Sequence, residues 1–313
     1  MDEFGIIDRY FNWHDNSDDL PVSIGDDAAV INIPAEKQLV TCIDTLISGV
    51  HFPETTSAHA IAYKSLAVNL SDIAAMGASP KWFTLAITLP EIDPDWLKAF
   101  SSGLKTLADH SGCYLIGGDT TRGPLSISIQ ILGLVEKETA LLRSQAQPGD
   151  RIYVSGTLGD AALGLKCYQD SVILDNELAA YCINRLNYPT PRLELGRTIR
   201  DKAHACIDVS DGLLQDLSHI LDASGVGATL DLTNIPLSKP LQTLDRIDAL
   251  RYALTGGDDY ELLFTLPKKL ESWFMSDAIS EQTSCIGVIN NKVGSISDTS
   301  GNLLTKKGYN HFS

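Results

Sequence analysis

Leu125, Ile127, Ile129 and Ile131 alternate with polar residues. A two-residue period of this kind suits a strand with one buried face. The stretch Ala58–Met76 instead carries apolar residues at helical spacing, with Ser57 placed as N-cap, Gly77 as C-terminal stop and Pro80 just beyond. The chain therefore has to build layers in which sheets and helices cover each other. Further strands are predicted at Gln38–Leu46, Trp82–Leu89 and Cys113–Ile116, with helices over residues 1–12 and Trp96–His110. In the strand Gln38–Leu46, Leu39, Thr41 and Ile43 share one face, and Val40, Cys42 and Asp44 the other.

After Glu136 the pattern restarts. Gln147-Pro148-Gly149-Asp150 reads as a turn early in a second domain. Strands follow at Arg151–Val154 and His204–Val209 and near Thr229, Tyr252, Glu261 and Ser284. Helices are expected at Asp160–Tyr168, Asn176–Leu186, Arg192–Lys202 and Asp211–Ala223. A length of 313 residues suits two domains, divided as 1–137 and 138–313. Strands and helices do not alternate strictly, which suggests α+β or mixed α/β layers. The halves echo each other weakly: Cys42-Ile43-Asp44 and Cys206-Ile207-Asp208 both end strands, and Gly117-Gly118-Asp119 and Gly256-Gly257-Asp258 both follow strands.

The formal net charge of −16 disfavours nucleic acid and anionic membranes as partners. No stretch is apolar for long enough to span a bilayer, and the start Met1-Asp2-Glu3-Phe4 is acidic where a secretory signal is basic. Six cysteines without a C-x-x-C pair read as reduced residues of a cytoplasmic protein. A chain this acidic binds polyphosphates only when cations mediate the contact.

The common nucleotide signatures are missing. The nearest Walker match, Gly159 to Cys167, has Leu165 at the Lys position and Cys167 at the hydroxyl position. Carboxylates at element ends are the main chemical signal: Asp26, Asp27, Asp44, Asp72, Asp119, Asp208, Asp211, Asp258 and Asp259. Each alone reads equally well as a cap or turn residue. Asp72 fits that reading worst, since it sits among Leu70, Ile73, Ala74 and Ala75 in a helical run. If several carboxylates meet in one cleft they need a counter-ion, and oxygen ligands favour Mg²⁺ over zinc. Gly117-Gly118-Asp119-Thr120-Thr121-Arg122 reads as a glycine turn offering backbone N–H groups to phosphate. Ser210-Asp211-Gly212 precedes a helix, whose N-terminus favours anions.

Taken together, Gly25-Asp26-Asp27-Ala28-Ala29, Asp44 to Phe52, Lys64 to Pro80, Gly117 to Pro124, Ile207 to Leu213, Gly256 to Leu262 and Lys307 to Phe312 resemble the thiamine-monophosphate kinase family. The resemblance covers nearly the whole chain. It implies a two-domain fold, α/β plus α+β, like aminoimidazole-ribotide synthetase, whose N-terminal α/β domain forms an intersubunit β-barrel in a homodimer and whose C-terminal α+β domain covers the site. It implies ATP-dependent phosphorylation of thiamine monophosphate to thiamine diphosphate, with several Mg²⁺ ions. Carried over, Asp27, Asp44, Asp72, Asp119, Asp208 and Asp211 are expected to bind metal, with Cys42 and Ile43 contributing only backbone oxygen. Gly117, Gly118, Arg143 and Ser210 are expected at ATP, and His51, Asp258 and Tyr309 at thiamine phosphate. Asp258 stands where relatives often carry Glu. No general base or covalent nucleophile is expected. Of the rival enzymes of this fold, selenophosphate synthetase needs a reactive Cys or selenocysteine near the N-terminus, whereas the first Cys here is Cys42. The hydrogenase-maturation relative needs a C-terminal Cys, and this chain ends His311-Phe312-Ser313.

Overall fold

The structure, a computed structural model, describes residues 2–13, 18–305 and 308–309. The expected tail motif therefore lies partly outside the described residues, with only Gly308 and Tyr309 inside. The chain forms two compact units: residues 1–73 with 78–139, and residues 74–77 with 140–313.

In the first unit, α1 (Glu3–Ile6) continues into a π-helical turn over Ile7–Phe11. Then come β1 (Lys37–Ile47), α2 (Ala58–Ala75), β2 (Ser79–Leu89), α3 (Pro94–Ser111), β3 (Tyr114–Arg122) and β4 (Ser126–Glu136). The strands form one open sheet in the order β1-β4-β2-β3, with only β2 and β3 parallel. The alternation read at Leu125–Ile131 is a central strand: Ile127, Ile129 and Ile131 are fully buried, and β4 pairs on both sides. Its buried face lies against α2, where a Cβ at Gly133 would stand 3.1 Å from Ile73. On the other face, Trp82 and Leu134 pack with Leu20 and Ile116.

α2 is buried nearly all round, as a central helix must be. Its internal polar side chains are satisfied locally. The Ser65 hydroxyl donates to the Ile61 carbonyl at 2.7 Å, and the Asn69 amide donates to the Ser65 carbonyl at 3.0 Å. The Ser57 hydroxyl accepts the Ala60 N–H at 3.3 Å, a cap at the position the sequence marks.

The second unit contains β5 (Arg151–Ser155), α4 (Asp160–Tyr168), α5 (Asn176–Asn187), α6 (Leu193–Ile199), β6 (Ala205–Val209), α7 (Leu213–Ser224) and β7 (Gly227–Leu230). It continues with α8 (Lys239–Gln242), α9 (Arg246–Thr255), β8 (Glu261–Leu266), α10 (Glu271–Met275), β9 (Thr283–Asn290) and β10 (Ile296–Asp298). Its mixed sheet runs β10-β7-β9-β5-β8-β6. Both faces are covered: Ile152 and Val154 join one core, while Tyr153 joins another with Phe264 and Phe274. That explains why β5 reads as a short continuous apolar run.

Two expectations are corrected here. The strand expected near Tyr252 is helix α9, which Asp245 caps by accepting the Ile247 N–H and which buries Ala249 and Ala253 four residues apart. Gly256-Gly257-Asp258 therefore follows a helix, and its echo of Gly117-Gly118-Asp119 does not extend to structure.

Candidate active site

The first unit holds a cavity of about 730 Å³ lined by Asp8, Asp26, Asp27, Gly117, Gly118 and Asp119, with Phe11, Leu85 and Ile116 among its apolar walls. Asp26, Asp27 and Asp119 are exposed. Gly25 makes the turn that brings Asp26 and Asp27 to the opening, with a φ of 114° that side chains rarely adopt.

Gly117-Gly118-Asp119 is not a turn. It is part of β3, paired with Thr84, Leu85 and Ala86 of β2. A register shift between Phe83 and Thr84 leaves Ile116 as an extra residue just before it, a bulge that re-aims the following side chains. Gly118 is a glycine because a Cβ there would lie 1.9 Å from the Leu85 carbonyl oxygen. Gly117 has nothing within 4 Å of a Cβ, so packing does not require it to be a glycine.

Asp44 is half-buried on β1, opposite Ile129, on the face that α2 covers. Burial pushes its carboxyl above the ordinary carboxylate value. Cys42 shares that face and directs its thiol to the Asn69 carbonyl at 3.6 Å, while Ile43 on the other face is 64 % exposed. Asp72, on α2, is half-buried. His51 Nδ1 accepts the Ile47 N–H at 3.0 Å, which puts the ring proton on Nε2. The His51 carbonyl accepts from Lys64 Nζ at 3.2 Å.

The register sets two of the expected metal ligands apart. Asp44 aligns through Ile129 and Leu85 with Gly118, so Asp119 points to the opposite face of the sheet. β1 and β3 are also its two edges, three strand spacings or about 14 Å apart. Within one chain, Asp44 and Asp119 therefore lie on opposite faces at opposite edges of the sheet. Among the described residues, no three His, Cys, Asp or Glu side chains are grouped closely enough to hold a metal by themselves. The donor chemistry still fits Mg²⁺: exposed carboxylates line one cavity, and Mg²⁺ keeps several waters and takes substrate phosphate oxygens.

In the second unit, the end of β6 gathers several of the expected residues. Asp208 is buried, and Ser210 and Asp211 are half-buried. The Ser210 carbonyl accepts the Asp258 N–H at 2.8 Å, and the Asp211 carbonyl accepts the Tyr309 N–H at 3.0 Å. Gln215 bridges the Asp211 carboxylate at 2.9 Å and the Tyr309 carbonyl at 3.1 Å. The Tyr309 side chain is exposed. Arg143 is also exposed, and its carbonyl accepts the Ser224 hydroxyl at 3.0 Å.

The backbone of Ser210-Asp211-Gly212 does not wait for an anion. Asp216 Oδ2 accepts the N–H groups of Ser210, Asp211 and Gly212 at 3.0, 3.1 and 3.1 Å. Burial, and then the nearby Asp208 and Asp211 carboxylates, push the Asp216 carboxyl up to about 7. Sequence reasoning missed Asp216, because one acid in the first turn of a helix looks like an ordinary dipole partner. The available signal was the spacing Ser210-Asp211-Gly212-x-x-x-Asp216, which lets a carboxylate fold back on the loop that opens its own helix.

Residues 25–135 match the AIR synthase related protein N-terminal domain, and residues 147–298 match the corresponding C-terminal domain. The thiamine-monophosphate kinase of Salmonella typhimurium is 46% identical, with 99% of this chain and 98% of that protein covered. The crystal structure of thiamine-monophosphate kinase from Stenotrophomonas maltophilia K279a superposes with a TM-score of 0.85 at 47% identity, covering 92% of this chain and 93% of that one. A structure described as AaThiL complexed with AMPPCP and TMP aligns with a TM-score of 0.80 at 31% identity, covering 93% of this chain and 92% of that one. With relatives this similar along its whole length and both domain models matched in order, the chain belongs to the thiamine-monophosphate kinase family of the AIR synthase-related superfamily.

Proposed function

We propose that the chain transfers the γ-phosphoryl group of ATP in one in-line step to the phosphate of thiamine monophosphate, giving thiamine diphosphate without a phosphoenzyme. The observation that carries this reading is 46% identity to a thiamine-monophosphate kinase across 99% of the chain. The solved complex with AMPPCP and TMP, 31% identical to this chain, supports the same pair of substrates. The acceptor phosphate oxygen is already ionised near neutral pH, so no strong general base is needed. The task for the protein is positioning and charge neutralisation.

Asp27 and Asp119 at the cavity, Asp44 and Asp72 in the same unit, and Asp208 and Asp211 in the second unit are the residues we assign to Mg²⁺. Bound Mg²⁺ neutralises phosphate charge. Gly117 and Gly118 border the cavity, and we assign them, with Arg143 and Ser210, to ATP. Ser210 serves there through its hydroxyl, because Asp216 holds its N–H. His51, Asp258 and Tyr309 are assigned to thiamine phosphate.

The active form is a homodimer in the cytoplasm. β1 is an eleven-residue edge strand whose outward face exposes Leu39, Ile43 and Ile47. An apolar, unpaired edge of that length needs covering, and a second copy supplies it by completing a barrel between subunits. Among the described residues no helix is long and apolar enough to cross a membrane.

ATP made chiral at the γ-phosphorus tests the single step. Inversion is expected. Net retention, or a labelled enzyme that passes phosphate to thiamine monophosphate, overturns it. Free thiamine should be a poor acceptor, because it lacks the anionic phosphate.

A further inference from the structure

Asp258 and Tyr260 are non-glycine residues with left-handed backbones, at φ 69° and 52°. Such conformations are disfavoured for residues with a Cβ and persist where surrounding contacts impose them. Asp259 lies between the two, only 2 % exposed. Its Oδ2 accepts the Gly159 N–H at 2.6 Å, and its Oδ1 the Ala161 N–H at 3.4 Å. These groups open helix α4, whose N-terminus is otherwise without a side-chain cap. Gly159 cannot be exchanged for a capping residue, because a Cβ there would lie 2.7 Å from the backbone of Tyr252 and Ala253. The cap is supplied instead by a residue one hundred positions later.

The rest of the segment is fixed from both sides. The Asp258 N–H donates to the Ser210 carbonyl and the Tyr260 N–H to the Val209 carbonyl, both at 2.8 Å. Gly257 permits this approach, since a Cβ there would lie 2.5 Å from the Ser210 carbonyl oxygen. Downstream, Glu261 is fully buried and bound by Arg185 at 2.7 Å and by Arg192 at 2.6 and 2.7 Å. Between these anchors the Tyr260 hydroxyl donates to Asp258 Oδ1 at 3.2 Å, so the two side chains emerge together.

We propose that Asp259 is a positioning residue for thiamine-phosphate binding, which holds Asp258 and Tyr260 in the left-handed conformations that present their side chains as a pair. The inference rests on the reading that Asp258 faces thiamine phosphate. A carboxylate and a phenol together suit a cationic heteroaromatic group such as the thiazolium of that substrate. Asp259 itself touches neither substrate.

The test uses steady-state kinetics of the full chain with both substrates, alongside thermal unfolding. Asp259→Ala is expected to raise KM for thiamine monophosphate at least tenfold, with KM for ATP within twofold of wild type. Asp259→Asn keeps an oxygen acceptor for the Gly159 N–H and is expected to restore most of the loss. Asp258→Ala is expected to raise the same KM. If Asp258→Ala leaves that KM unchanged, the pocket reading falls and the proposal with it. If Asp258→Ala raises it but folded Asp259→Ala does not, or raises both KM values equally, the proposal alone is overturned. Should Asp259→Ala not fold, Asp259→Glu, which lengthens the anchor by one methylene, is read by the same criteria.

Discussion

Asp119 is exposed on an edge strand and Asp72 half-buried in the last turn of α2, so Asn at either position keeps the volume and removes one negative charge. Each substitution is expected to lower kcat at least a hundredfold, about 2.7 kcal/mol of transition-state stabilisation, while the unfolding midpoint moves little. Excess EDTA should abolish turnover and added Mg²⁺ restore it. Folded Asn variants with near-normal turnover would remove both residues from the metal assignment. The candidate carboxylates were legible in the sequence because Asp is costly in apolar surroundings and stands out at element ends. Their grouping was not. Alternation along β1 places Cys42 and Asp44 on one face, but whether Asp119 shares that face depends on strand order and register. Neither is written in a local pattern. Asp216 was hidden for a related reason, since its three partners become neighbours only once the loop before α7 closes.

Within β3, two adjacent glycines separate folding from binding. Gly118→Ala places a methyl 1.9 Å from a backbone oxygen of β2 and has to push the strands apart. The expected cost is about 3 kcal/mol, at the upper end for overpacking, read by denaturant unfolding. Gly117→Ala meets open space and should change stability by less than about 0.5 kcal/mol. Its methyl would stand in the cavity, so KM for ATP should rise about tenfold or more. Unchanged KM in this variant would take Gly117 out of the nucleotide site. The regular elements were largely legible: β4 from the alternation of its buried isoleucines, and α2 from the Ser57 cap and the Gly77 stop at its ends. The glycine segment was read as a turn because adjacent glycines usually mark one. Here Gly118 is set by the approach of a neighbouring strand, a tertiary cause. Likewise α9 was obscured by Arg251-Tyr252, whose β-favouring tyrosine hides the helical spacing of Ala249 and Ala253.

At the scale of the whole molecule, the exposed apolar face of β1 carries the prediction of a homodimer. Light scattering at micromolar concentration should give twice the 33.9 kDa chain mass. Ile43→Lys, which places a charge on the most exposed apolar residue of that strand, should shift the balance towards the single chain. A wild-type protein of single-chain mass would count against the barrel interface. A second domain was legible only as an expectation, from length and from the restart of the pattern after Glu136. The strand order of the second sheet was not, because its central pairings join distant segments. β5 pairs with β8 on one side and β9 on the other, and Ser155 at its end meets Glu261, 106 residues later. On the ribosome, at roughly 5–20 residues per second, that interval lasts about 5–20 s. For that time Ile152, Tyr153 and Val154 have left the exit tunnel without the strands they pair with, a stretch of nascent chain open to a chaperone's cover.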